Sequence, residues 1–99
     1  MGNGLSVANN IHIFCELEST ADNGKAVTAK IKELGTWARI NPSFWYIDST
    51  LTASEVRDQL APLLKDGDCL FIVNASSGQA AWKGVSNPVT AFIKAHWNN

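Results

Sequence analysis

The sequence predicts an α+β fold: one ferredoxin-like domain over residues 1–99, with two helices on one face of a four-stranded antiparallel sheet and a short C-terminal helix. Three observations predict it. Residues 11–17 alternate with period two, residues 51–56 carry a helix-entry signal, and the strand-like and helix-like segments follow in the order β-α-β-β-α-β. A chain of ninety-nine residues has room for one hydrophobic core.

Residues 1–10 are expected to be flexible. In residues 11–17, Ile11, Ile13, Cys15 and Leu17 alternate with His12, Phe14 and Glu16, which predicts a strand with one core face. Residues 22–35 place Val27, Ile31 and Leu34 at helical spacing, with Gly35 where a C-terminal cap would fall. Two strands, 36–40 and 44–48, are expected to pair across the turn Asn41-Pro42-Ser43.

Thr52 and Glu55 form a capping box, and Leu51 and Val56 take the hydrophobic-staple positions. The helix that starts there aligns Val56, Leu60, Leu63 and Leu64 and is expected to reach Lys65, with Pro62 kinking or shortening its last turn and Asp66-Gly67-Asp68 as the stop. Residues 69–73 form an apolar run of strand length, and the loop 74–78 follows. Residues 79–83 read as a fifth, edge strand of weak propensity, outside the four-stranded core arrangement. Asn87 and Pro88 read as N-cap and first residue of a docking helix whose stripe is Val89, Phe92, Ile93 and Trp97.

Eight basic residues oppose nine acidic ones, so a net charge of −1 supplies no global field toward nucleic acid or an anionic membrane. No run approaches the ~20 apolar residues of a transmembrane helix, and the start lacks the pattern of a signal peptide. A cytoplasmic protein without a membrane partner is expected. Cys15 and Cys69 lack metal or redox spacing and read as buried, reduced thiols. No cofactor is expected, and a chain this short gains by pairing with a second copy, so a homodimer is.

If Ile11, Ile13 and Cys15 meet the helices, then His12, Phe14 and Glu16 face away, joined by Phe44 and Tyr46 or by Trp45. An apolar uncovered sheet face becomes an interface. Aromatic sheets also bind RNA, but no RNP-type motif stands here, which ranks dimer contact above base stacking. The tryptophans at 37, 45, 82 and 97 suit core or interface, with an aromatic ligand pocket as the lesser reading. Such a pocket would draw on Tyr46 and Trp82, with Arg39 or Lys83 meeting a phosphate. Ser76 and Ser77 read as turn formers, and Lys25, Lys30 and Lys32 as a solvated helix face.

Residues 34–84 resemble small SinR-like proteins, distant relatives of the CRISPR-associated Cas-two endoribonuclease family. The matching residues are Leu34-Gly35, Ser43 with Trp45, Leu51-Thr52-Ala53, Arg57-Asp58, Leu60, Pro62, Leu64, Asp68, and Ala80-Ala81-Trp82 with Gly84. The resemblance implies a ferredoxin-like homodimer and, in the nuclease relatives, a carboxylate at the end of the first strand that holds magnesium across a two-fold axis. Glu16 takes that place here, in a Cys-Glu-Leu context where those relatives read Tyr-Asp-Leu. The added methylene moves the carboxylate by more than metal geometry tolerates.

The leading expectation is therefore a non-catalytic homodimeric binding module contacting a protein, a nucleic acid or a nucleotide-like ligand. One alternative is a metal-dependent endoribonuclease with Glu16 as catalytic residue and magnesium ligand. The other is a small-ligand sequestering protein with a pocket between subunits.

Overall fold

The computed structural model describes residues 8–18 and 23–97. Its elements are β1 (Asn9–Glu16), α1 (Asn23–Glu33), β2 (Thr36–Asn41), β3 (Phe44–Ser49), α2 (Ala53–Leu60) with a 3-10 turn (Ala61–Leu63), β4 (Cys69–Asn74), β5 (Gln79–Lys83) and α3 (Asn87–His96). The strands form one antiparallel sheet in the order β2-β3-β1-β4-β5. The sheet thus has five strands, not four. Residues 79–83 pair with β4 from Leu70↔Lys83 to Asn74↔Gln79, and that ladder outweighs the weak strand propensity of Ala80 and Ala81.

β1 lies in the middle and pairs with β3 on one side and β4 on the other. It starts at Asn9, so residues 9 and 10 belong to the sheet; the rest of the expected flexible start, residues 1–7, lies outside the described residues. Ile11, Ile13 and Cys15 point to the helices and join Trp45, Ile47, Leu70, Ile72, Val27, Ile31, Val56 and Leu60 in one core. Each fully buried Ile or Leu there contributes roughly 1.5–3 kcal/mol relative to exposure. α2 packs against β4 and β5, and α1 against β2 and α2.

Gly35 does not cap α1 in the left-handed conformation, which among the described residues only Gly67, Gly78 and Gly84 adopt. A Cβ at Gly35 would instead run into the Asp48 carbonyl oxygen, so glycine lets the start of β2 approach β3. The capping box is present: Thr52 Oγ1 accepts the Glu55 N–H at 3.1 Å and Glu55 Oε1 accepts the Thr52 N–H at 2.9 Å. Pro62 confines the end of α2 to a 3-10 turn that stops at Leu63, before Lys65, because Leu64 is already extended. α3 begins one residue earlier than expected: Ser86 is the N-cap and Asn87 is helical.

Asp68 ties one end of the sheet together. Its Oδ1 accepts the Glu18 N–H at 2.9 Å, and its Oδ2 accepts the Lys65 N–H at 2.8 Å and the Asn23 side-chain amide at 3.0 Å. Burial works against the charge, yet the donors from Lys65, Glu18 and Asn23 and the Lys65 charge outweigh it and hold the carboxyl below its ordinary range.

Two outcomes are expected. Thr52→Ala lowers unfolding free energy by about 1 kcal/mol, read from the midpoint of a urea titration at unchanged slope. Asp68 has a depressed folded pKa, so its contribution is full above the ordinary carboxylate pKa of about 3.9 and fades as pH falls through the folded value. Asp68→Asn is expected to lose about 2 kcal/mol at pH 7 and to converge on the wild type in strong acid, as checked by thermal unfolding across pH.

Candidate functional site

The helices cover one face of the sheet, and the other face is built by the residues between the core positions. Register assembles that second face into two adjoining cross-strand rows. Phe44, Phe14, Phe71 and Trp82 form one row, through the pairs Phe14↔Phe44, Phe14↔Phe71 and Phe71↔Trp82. Ala38, Tyr46, His12, Val73 and Ala80 form the next. The rings touch: Phe71 stacks on Trp82 with centroids 5.3 Å apart, and His12 lies 5.5 Å from Tyr46 and 6.1 Å from Phe44. Phe14, in the middle of the sheet, is 39 % exposed.

α3 docks on the β4-β5 side of this face. Trp97 meets Phe71 at 6.4 Å and donates its Nε1–H to the Gly78 carbonyl at 2.6 Å. A shallow cleft of about 210 Å³ opens between Phe71 and Phe92, Ile93, His96 and Trp97. The helix is only loosely held: of its expected stripe Ile93 is half-buried, while Val89, Phe92 and Trp97 stay 49 %, 64 % and 37 % exposed. Among the described residues no helix lies over the β1-β3-β2 half.

The four expected ligand-binding residues fall on two faces. Tyr46 and Trp82 belong to the aromatic rows. Arg39 pairs with buried Trp45, and Lys83 with buried Leu70, which places both on the helix side, at opposite edges of the sheet. One chain therefore does not bring the four together. Arg39 is also engaged internally: its Nη2 donates to the Pro42 carbonyl at 2.9 Å and its guanidinium lies 4.6 Å from the Trp45 ring centre. The tryptophans split likewise, Trp37 and Trp45 meeting at 5.6 Å on the helix side and Trp82 and Trp97 lying on the aromatic side.

Glu16 ends β1 opposite Cys69 and is exposed. It borders a cleft of about 320 Å³ that Thr28, Arg39, Ser43 and Trp45 also line. Among the described residues no three His, Cys, Asp or Glu side chains gather as a metal site, so Glu16, with Cys69 opposite it, belongs to no such group. The strand residues of the aromatic face include the carboxylates of Glu16 and Asp48 and neither lysine nor arginine.

Sequence reasoning found Phe14, His12, Phe44 and Tyr46 through alternation. It missed Phe71, because residues 69–73 read as a continuous apolar run and only the ladder with β1 shows which of them turn outward, whereas Phe92 belongs to the expected stripe of the docking helix. Ser76 is a turn former as expected: its Oγ accepts the Asn10 N–H at 3.0 Å, while Asn74 Oδ1 accepts the Ser76 N–H at 3.0 Å. No helix among the described residues is long and apolar enough to cross a membrane.

Compared with family models, curated proteins and solved structures, the chain matches none. The relationship to SinR-like proteins expected for residues 34–84 gains no support from these comparisons.

Burial pushes the Cys15 thiol up to about 11, helped by the charges of Asp68 and Cys69, and burial with the Glu16 charge raises Cys69 as well. Cys15 lies in the core and Cys69 is half-buried. Iodoacetamide at pH 8 is expected to alkylate Cys69 at least about tenfold faster than Cys15 in the folded protein, as followed by peptide mass spectrometry. Equal rates would show that β1 opens readily.

Proposed function

We propose that the chain is a small, non-catalytic, homodimeric binding module whose aromatic sheet face contacts a protein. The observation that carries this reading is the pair of aromatic rows on the side of the sheet that α1 and α2 leave uncovered. Charge decides the class of partner. Binding of a nucleic acid draws most of its affinity from lysine and arginine on phosphates, and the strand residues of this face carry carboxylates instead, with Lys94 of α3 as a basic group beside Trp82. Protein interfaces favour a ring-rich, uncharged centre.

Two further points support the reading. The order β2-β3-β1-β4 fits the ferredoxin-like split βαβ arrangement, with β5 added at one edge. Arg39, the cation that a sequestered small ligand would need, is held by Pro42 and Trp45. The endoribonuclease reading needs a second carboxylate beside Glu16, which the resemblance assigns to another copy.

Sedimentation equilibrium is expected to show a dimer at micromolar concentration, and a strictly monomeric chain would overturn the homodimer. A photo-reactive phenylalanine analogue at position 14, irradiated in cells, is expected to give adducts removed by protease and untouched by nuclease. Nuclease-sensitive adducts would reinstate the base-stacking reading, and cleavage of RNA with magnesium that Glu16→Ala abolishes would overturn the non-catalytic one.

A further inference from the structure

β2 is exposed at every residue from Thr36 to Asn41 and forms one edge of the sheet. Trp37 is 44 % and Ile40 58 % exposed there. Two of the devices that keep an edge from pairing, the charge of Arg39 and the bulge between Arg39 and Asn41, fall at the C-terminal end of the strand, and residues 36–38 carry neither charge nor proline. Resting on the homodimer reading above, we infer that the second copy pairs its β2 antiparallel with this one, about a two-fold axis that runs perpendicular to the sheet through Ala38.

The register follows from face and charge. Directly opposite residues of an antiparallel pair share a face, so the two helix layers line up only if the axis passes through a residue position and not between two. Within β2, an axis at Ala38 joins residues 36–40 of the two copies and an axis at Arg39 joins 37–41; every other centre shortens the ladder. The Arg39 axis sets two guanidiniums opposite each other and draws in the bulge between Arg39 and Asn41. The Ala38 axis sets methyl opposite methyl at the centre. It also sets Arg39 of each copy opposite Trp37 of the other, which keeps the two guanidiniums apart; the Trp37 ring already carries Lys32 at 4.6 Å.

Face-to-face packing of the aromatic rows competes poorly with this edge contact. Packed sheets lie about 10 Å apart, and α3 already occupies the β4-β5 side of that face. Edge pairing leaves the rows free for a partner and joins the two helix-free halves into one floor of Phe14, Phe44, Tyr46 and their mates. It also parts the two Glu16 carboxylates. Five strand spacings of ~4.8 Å separate β1 from its mate, too far for one shared metal ion.

The test uses charge at the axis, with Ala38 exposed and so open to substitution. Ala38→Lys and Ala38→Asp are each expected to raise the dimer dissociation constant at least about tenfold, because each sets like charges opposite each other. An equimolar mixture of the two variants is expected to recover a heterodimer within about threefold of the wild-type constant, by native mass spectrometry and sedimentation velocity. Phe14→Asp is expected to leave the dimer intact. Variants that dimerise like the wild type, a mixture no tighter than its components, or dissociation by Phe14→Asp would each overturn the edge contact while leaving the homodimer standing. A monomeric wild type overturns both.

Discussion

The placement of β1 at the centre of the sheet is the constraint on which the other elements depend. Every other strand reaches the core through it, since β3 and β4 bond to its two sides and β2 and β5 bond only to them. Its period-two alternation assigns each residue to one of two environments: Ile11, Ile13 and Cys15 to the helices, His12, Phe14 and Glu16 to the other side. A slip of one residue in either ladder would exchange these sets, so the register that builds the core also builds the aromatic rows. The buried core and the aromatic face are two readings of one pairing pattern.

Helix supply then sets the asymmetry. α1 and α2 fill one face, while α3 reaches the other only through Trp97 and its neighbours at the β4-β5 end. The rings that remain uncovered are held in place from behind by a core with almost no accessible surface. A rigid apolar face of this kind loses little side-chain entropy when a partner lands on it. At the far end the Asp68 carboxylate fixes the approach to α1 and the turn before β4, and thereby where β1 leaves and β4 enters the sheet.

Local signals were legible and long-range ones only partly so. The capping box at Thr52 and Glu55, the Asn41-Pro42-Ser43 turn and the alternation of β1 involve neighbours in sequence, and the structure keeps each of them. Gly35 looked like a cap because its requirement, the approach of the Asp48 carbonyl, comes from a strand thirteen residues on. The fifth strand carries only a weak local signal because Ala80 and Ala81 have low propensity and are held by β4. For the site, period two exposed Phe14 and Tyr46, but the side on which Arg39 and Lys83 fall depends on pairing partners, Trp45 and Leu70, that no local pattern names.

The other edge of the sheet sets how far assembly can run. β5 is short, ends at Lys83, and has α3 anchored at the Gly78 turn that precedes it. If the β2 edges close on each other, the outward edges left are two copies of β5, each blunted by a charge and flanked by a helix. An isologous contact consumes the one inviting edge and stops. Fibre growth, the ordinary hazard of an open antiparallel sheet, is thereby cut off after a single association step.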